Sequence, residues 1–208
     1  MPQYYDITIP ITDNMIVYPG DRPVSFKRTH TIAKHGYNES EIECGTHVGT
    51  HIDAPVHFIE GGATLDDFSF ELMVGTAEVI EIDAPMIDRA ALEKVSSNDW
   101  RVVFFKTRNQ TLWKLDRFSE EYVSLTPDAA EFLVEKGARF VGIDGWSIES
   151  FDAEPDYPVH KILLGNGAFI IESLFLNNVR PGTYQYYCLP LKLAKADGGP
   201  VRVILEQL

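Results

Sequence analysis

The stretch Cys44–Phe58 reads CGTHVGTHIDAPVHF, and it decides how the rest of the chain is interpreted. Three histidines, His47, His51 and His57, fall within eleven residues and flank Asp53. Imidazoles and carboxylates are preferred ligands of Zn²⁺ and Mn²⁺. A lone histidine is usually structural, but packing does not explain so dense a cluster beside an aspartate. The stretch therefore predicts a metal-binding and catalytic centre.

The backbone of this stretch is predicted to be extended, because its glycines, its proline and its β-branched residues all disfavour a helix. The three histidines and Asp53 occupy odd positions, so on a strand they share one face. The even positions are apolar and are predicted to line the opposite face: Val48, Ile52, Ala54, Val56 and Phe58.

A straight strand cannot place all of these groups on one ion, since ten extended residues span about 33 Å. The chain must bend, and Gly49 and Pro55 are the predicted bending points. His47, His51 and Asp53 can then converge on one ion. His57 lies past the second bend and is available for proton transfer.

Two imidazoles and a carboxylate leave coordination positions for water, which is typical of a catalytic metal site. A divalent ion lowers the pKa of bound water to about 7, and a nearby histidine can accept and return the proton. These features predict an enzyme that catalyses metal-assisted hydrolysis. A rival is a non-haem iron oxygenase whose facial triad uses His51, Asp53 and a distant histidine, which leaves His47 and His57 without a role. A third reading is a catalytically silent metal-binding module.

Composition limits the possible partners and location of the protein. A chain of 208 residues with 45% hydrophobic residues fits one domain, 1–208, with its own core. The net charge of -13 argues against nucleic acid and anionic membranes as partners. Cys44 and Cys188 suggest neither a disulfide framework nor a thiolate zinc site. With no signal-like or membrane-spanning segment, we expect a cytoplasmic protein that acts on a small molecule.

The remaining sequence predicts more strands than helices and a mixed sheet of the α/β class. One helix is predicted to follow a Thr126 cap and to end at Gly137. The predicted strands are Tyr4–Ile9, Val24–Ile32, Glu39–Cys44, Gly75–Asp83, Val102–Thr107, Arg139–Asp144, Ala168–Glu172 and Gln185–Leu189, with a closing turn at 197–200 and a final arm at Val201–Leu205. The predicted helices are Asp88–Val95 and Pro127–Lys136.

The GTHxxTHxDxPxH pattern resembles that of the cyclase-like metal-dependent hydrolases, which include bacterial kynurenine formamidases and isatin hydrolases. Agreement extends along almost the whole chain, through residues 18–21, 142–144, 160–164, Glu172 and 196–202. The resemblance implies a mixed-sheet swivelling β/β/α fold in a single domain. It also implies homo-oligomers, either dimers or tetramers.

The resemblance further implies a two-metal site, with Zn²⁺ or Mn²⁺ as the ions. His47, His51 and Asp53 match the ligands of one ion. The second ion would share Asp53 and take His160 and Glu172. His57 matches the general acid/base. Without the resemblance, the sequence predicts that His160 is a surface or capping histidine and that Glu172 is a solvated residue at a strand end.

The implied reaction is cleavage of a small amide, with N-formylkynurenine as the first candidate substrate in tryptophan catabolism. A lactam or lactone, as in isatin hydrolases, is the alternative. Tyr18 stands where kynurenine formamidases commonly have a tryptophan that stacks on the aryl ring. Trp146 lies where relatives show a different turn, and it either shapes the pocket or packs in the core.

Overall fold

The computed structural model describes residues 2–97, 99–153 and 155–208 of the protein. The strands described are β1 (Tyr4–Asp6), β2 (Ser25–His30), β3 (Glu39–Glu43), β4 (His51–Asp53), β5 (Val74–Glu81), β6 (Val102–Lys106), β7 (Phe140–Ile143), β8 (Phe169–Glu172), β9 (Gly182–Pro190) and β10 (Gly198–Gln207). The α-helices described are α1 (Ile32–His35), α2 (Phe70–Met73), α3 (Arg89–Leu92), α4 (Pro127–Glu135) and α5 (Pro158–Gly165).

Eight strands form one mixed sheet in the order β1-β10-β4-β8-β7-β6-β5-β9. Neighbours from β5 to β8 are parallel, whereas β4, β9 and β10 pair antiparallel to their neighbours. Strand β9 also pairs with β10, so the sheet closes on itself like a barrel. This arrangement confirms the predicted mixed-sheet α/β class.

The sheet separates two hydrophobic cores, because successive side chains of a strand point to opposite faces. In β6, Val102 and Phe104 lie in the core enclosed by the sheet. Val103 and Phe105 of the same strand lie in the second core, with Leu133 of α4 and Leu163 of α5. Helices α4 and α5 thus cover the outer face of the parallel strands.

The helix predicted to end at Gly137 is present, since α4 begins at Pro127 and Gly137 has a left-handed φ of 80°. Thr126 occupies the N-cap position, but its side chain does not cap the helix. Its hydroxyl instead donates to the carbonyl of Ile87 at 3.2 Å. The predicted Asp88–Val95 helix is shorter, with Asp88 capping α3 through the backbone N–H of Ala91 at 2.7 Å.

The predicted closing turn at 197–200 is wrong. Gly198, Gly199 and Pro200 are the first residues of β10 and pair with β4. Strand β9 meets β10 only from Val201 onward, opposite Pro190. The turn therefore lies earlier, within 191–197. The glycines at 198 and 199 permit close strand contact here, a role that is easily confused with a turn.

Helix α5 is not among the sequence-based predictions, although it carries His160. Strand β1 is also shorter than Tyr4–Ile9, and Thr8 only forms an isolated bridge with Leu174. Across the described ranges, no helix has the length and apolar character needed to span a bilayer.

Strands β2 and β3 form a separate two-stranded ribbon outside the main sheet. Phe26 and Ile42 face each other across this ribbon, and both are exposed, by 43% and 60%. Lys27 pairs with Glu41 at the next position, so the side chains of Lys27 and Glu41 point to the other face of the ribbon. The Phe26–Ile42 pair is therefore an exposed apolar patch, and Arg28 and Ser40 lie beside it on the same face.

Candidate metal centre and active site

The register between β4 and β8 places two predicted ligands side by side. His51 lies directly opposite Glu172 in this antiparallel pair. Asp53 is two residues beyond His51, so it lies on the same face of the strand. Ile52, between them, is fully buried in the enclosed core. The alternation predicted for this part of the motif is confirmed.

The predicted bends at Gly49 and Pro55 are also confirmed. Gly49 has a left-handed φ of 59°, and a 3-10 helix begins at Pro55. The first bend turns His47 back toward Asp53, with His47 Nδ1 2.7 Å from Asp53 Oδ1. The second bend brings the ring of His57 onto that of His47, with ring centroids 3.9 Å apart.

The predicted apolar face fails at both ends of the motif. Ile52 and Ala54 lie in the enclosed core as predicted. Phe58, in contrast, lines the same cavity as the histidines and stacks on the ring of His160 at 4.6 Å. Val48 lines that cavity as well. Val56 packs against the enclosed core as predicted. Strand alternation holds only within β4, and the bend at Gly49 and the 3-10 helix from Pro55 turn Val48 and Phe58 toward the cavity.

His160 is 5% exposed, which contradicts the reading of a surface histidine. It lies in the first turn of α5, where Tyr157 at the N-cap position provides no side-chain cap. The buried carboxylate of Glu149 takes over this role and accepts from the backbone N–H groups of Val159 and His160 at 2.8 and 3.2 Å. It also accepts from His160 Nδ1 at 2.7 Å. This contact turns His160 Nε2 toward the other ligands.

Glu172 is also buried, which contradicts the reading of a solvated strand end. Its Oε1 atom accepts from Ser147 Oγ at 3.0 Å and from the backbone N–H of Ile148 at 2.7 Å. Glu172 Oε1 lies 3.3 Å from His160 Nε2, and its Oε2 lies 3.5 Å from His51 Nε2. Asp53 Oδ1 lies 3.3 Å from His51 Nε2. The five predicted ligands therefore converge.

The donor set fits divalent ions. His51, Asp53 and Glu172 offer ligand atoms within 4.8 Å of one another, as do His47, Asp53 and His57. His51 Nδ1 donates to the carbonyl of Gly49 at 2.9 Å, so a lone pair remains on His51 Nε2. Lysine and arginine are absent from the described residues that line the cavity. Buried carboxylates without such partners require protons on the histidines or metal cations.

The pKa shifts reflect this concentration of charge. Burial favours neutral His47, but contacts with Asp53 and Asp197 outweigh burial and raise the pKa of His47 to about 9. Burial acts in the same direction on His160, and its contacts with Glu149 and Glu172 raise its pKa to about 10. The pKa of His57 is lowered, chiefly by burial. A neutral imidazole at pH 7 is suited to accept a proton.

The metal-binding groups line a cavity of about 440 Å³. Its other walls are rich in aromatic rings: Tyr18, Phe58, Trp113, Trp146 and Tyr157. Tyr18 packs edge-on against Phe118 at 5.2 Å. Trp146 packs edge-on against Trp113 at 4.7 Å, so it shapes the cavity. The cavity can therefore accept a flat ring next to the metal-binding groups.

Sequence reasoning missed two carboxylates next to the site. Glu149 orients His160, and Asp197 Oδ2 accepts from His47 Nε2 at 2.9 Å. Asp197 lies in the 196–202 segment that carries the family resemblance, which was the available signal. Glu149 left no signal, because only the tertiary structure brings it to α5.

Comparison with known proteins identifies the family. A family model described as putative cyclase matches residues 5–150. The chain belongs to the putative cyclase family. This cyclase-family chain is 32% identical to a kynurenine formamidase of Bacillus cereus, over 99% of the chain and 98% of that relative.

Solved structures agree with the family assignment. The solved structure of a potential metal-dependent hydrolase with cyclase activity is 35% identical, with a TM-score of 0.86 and coverage of 100% of this chain and 99% of the other. Isatin hydrolase A from Labrenzia aggregata is 21% identical, with a TM-score of 0.86 and coverage of 99% and 93%, and shares the fold. The predicted resemblance and fold class are confirmed, as is the class of metal-dependent hydrolases.

Proposed function

We propose that this protein is an arylformamidase that hydrolyses N-formylkynurenine or a closely similar aryl formamide. The observation that carries the proposal is the convergence of three histidines and two buried carboxylates in the lining of an aromatic cavity. The formamidase relatives agree with this choice. The whole chain, 1–208, would act as one catalytic domain in tryptophan catabolism through the kynurenine pathway.

Two divalent ions per subunit, Zn²⁺ or Mn²⁺, fit the donor set. His47, His51 and Asp53 would hold one ion, and Asp53, His160 and Glu172 would hold the other. When bound, the ions would polarise the scissile carbonyl and lower the pKa of water. The chain contributes the fixed ligand geometry, because Glu149 and the carbonyl of Gly49 orient two of the three imidazoles.

His57 is the proposed general acid/base. It lines the cavity and stacks on His47, so it stands beside the metal-binding groups. In this role His57 takes a proton from water and delivers it to the leaving nitrogen. A positioned acid/base of this kind contributes about two to four decades of rate.

Tyr18 is the proposed substrate-binding residue. Its ring lines the cavity and is supported by Phe118 and Phe151, at 5.2 and 5.7 Å. An aryl ring between Tyr18 and the metal-binding groups would place a formamide at the ions. Trp146 narrows the same cavity, so it would limit the size of the accepted ring.

A substrate panel tests the proposal. Metal-free protein is reloaded with Zn²⁺ or Mn²⁺ and assayed with N-formylkynurenine, an aliphatic formamide and isatin. We expect highest kcat/KM for N-formylkynurenine. Preferential opening of isatin would replace the formamidase assignment with lactam hydrolysis. Turnover that needs ferrous iron and dioxygen would support the oxygenase rival instead, and tight metal binding without any turnover would indicate a silent module.

We also propose a homo-oligomer, either a dimer or a tetramer, in the cytoplasm. The exposed pair Phe26 and Ile42 on the β2–β3 ribbon supports association, because an isolated two-stranded ribbon that exposes an apolar pair is only marginally stable. Cys44 and Cys188 are both free thiols, in keeping with a reducing compartment. Light scattering of the native protein and of Phe26→Ser tests the assembly. A native monomer would contradict it.

A further inference from the structure

Asp197 contacts the metal-binding motif through both its backbone and its side chain. Its carbonyl accepts from the backbone N–H of Ala54 at 2.8 Å. Its Oδ2 atom accepts from His47 Nε2 at 2.9 Å and from Thr46 Oγ1 at 3.3 Å. The same oxygen lies 3.8 Å from His57 Nδ1. One carboxylate oxygen therefore faces both a predicted metal ligand and the predicted acid/base.

The next residue, Gly198, lies close against the same His47 imidazole. A Cβ atom on Gly198 would lie 2.7 Å from His47 Cε1 and 2.4 Å from the carbonyl oxygen of Ile52. Only glycine leaves room for the His47 ring at this point. The Asp197-Gly198 pair thus supplies a hydrogen-bond acceptor at one ring nitrogen and space beside the ring.

The contact determines which nitrogen of His47 is available to an ion. An ionised carboxylate only accepts hydrogen bonds, so His47 Nε2 must carry a hydrogen. A neutral His47 then has its lone pair on Nδ1, the atom that lies 2.7 Å from Asp53 Oδ1. His51 and His160 follow the same plan, with one nitrogen on a carbonyl or carboxylate and the other toward the centre.

We propose that Asp197 is a positioning residue that holds His47 in the tautomer with its hydrogen on Nε2 and keeps the stacked rings of His47 and His57 in place. The proposal rests on the metal site of the proposed function, but it does not depend on the substrate. Asp197 acts through the two imidazoles and needs no contact with the reacting atoms.

Asp197→Asn is the test, because it keeps the side-chain shape and removes the charge. Asp66→Asn is the matched control. Asp66 is exposed and its Oδ2 accepts from the backbone N–H of Lys195 at 2.8 Å, so it supports the same segment without touching an imidazole. We expect Zn²⁺ affinity, measured by chelator competition on metal-free protein, to fall about 10- to 100-fold in Asp197→Asn. The affinity of Asp66→Asn should match that of wild type.

Nitrogen NMR of histidine-labelled, zinc-loaded protein reads the tautomer directly. We expect a hydrogen on His47 Nε2 in the wild type and in Asp66→Asn. A wild-type His47 with its hydrogen on Nδ1 overturns the proposal, even if Asp197→Asn fails to fold. Equal Zn²⁺ affinity in the two variants overturns it as well. Lack of turnover on every panel substrate would instead reject the proposed function and leave these readouts unaffected.

Discussion

The imidazole of His57 stacks on that of His47, with ring centroids 3.9 Å apart and ring planes 21° apart. Two imidazolium cations at this distance would repel each other. Asp53 and Asp197 contact His47 and favour a proton there, whereas burial lowers the pKa of His57. The pair is therefore asymmetric, and His57 is the ring suited to exchange protons with a substrate.

Replacing His57 with Ala should lower kcat by about 100- to 10,000-fold, because a positioned acid/base is lost. Metal content should remain at the wild-type value, because His47, His51, Asp53 and the distant ligands are retained. Elemental analysis and steady-state kinetics on the same sample check both statements. His35→Ala, in the exposed helix α1, is the control for loss of an unrelated histidine. Unchanged activity in His57→Ala would contradict the assignment.

Replacing Glu149 with Gln should weaken metal binding by about 10- to 100-fold, because His160 loses its charged orienting partner. The amide oxygen can still accept from the first backbone N–H groups of α5, so the helix should be retained. Chelator competition measures the affinity, and circular dichroism checks the fold. Glu135→Gln on the exposed end of α4 is the matched control. Equal affinities in both variants would show that Glu149 serves the helix alone.

Stability of the metal-free protein should fall as pH rises from about 7 to 10. Contacts with carboxylates raise the pKa of His47 to about 9 and of His160 to about 10. A raised folded-state pKa stabilises the protein fully below the unfolded value of about 6.5, and this stabilisation is lost as pH rises through the folded value. Thermal melts across this range check the direction.

Metal binding should reverse this trend, because an ion displaces the protons from the imidazoles. The gain in melting temperature on adding Zn²⁺ should therefore increase with pH. In the metal-free protein, His160→Gln should make the melting temperature fall less steeply with pH. If the melting temperature of this variant falls with pH as steeply as that of wild type, groups other than His160 cause the loss of stability.

Replacing Tyr18 with Ala should raise KM for an aryl formamide about fivefold to tenfold, since a ring contact contributes about 1 kcal/mol. Hydrolysis of an aliphatic formamide should change little. Tyr18→Trp keeps an aromatic wall and should retain a low KM. Parallel kinetics on the two substrates test this, and an equal loss on both would point to a structural role for Tyr18.

Replacing Gly142 with Ala should destabilise the protein by about 1–3 kcal/mol through overpacking. A Cβ atom there would lie 2.6 Å from Phe104 Cδ1 and 2.7 Å from Ile171 Cγ2. Gly165→Ala makes the same chemical change in α5 and meets only Ile59 Cδ1 at 3.6 Å. It should be neutral or slightly stabilising, because alanine is the better helix former. Urea unfolding of both variants measures the two changes in the free energy of unfolding.

Several strands were predictable from local pattern alone. Strand β6 lies within one residue of its predicted bounds, because a run of β-branched and aromatic residues has few alternatives to a strand. The bends at Gly49 and Pro55 were predictable for a similar reason, since each residue restricts its own backbone. The first residues of β10 were wrongly predicted to form a turn, because two glycines before a proline also favour a turn.

The sequence by itself determined the chemistry of this protein. His47, His51, Asp53 and His57 are close in the chain, so their metal-binding and proton-transfer character shows in the order of residues. The family resemblance named the distant residues His160 and Glu172, but only the tertiary structure shows how distant groups reach the site. Pairing of β4 with β8 brings Glu172 beside His51, and Glu149 and Asp197 reach their imidazoles across 11 and 150 positions. Sheet register and helix docking depend on packing of the whole core, which no local pattern encodes.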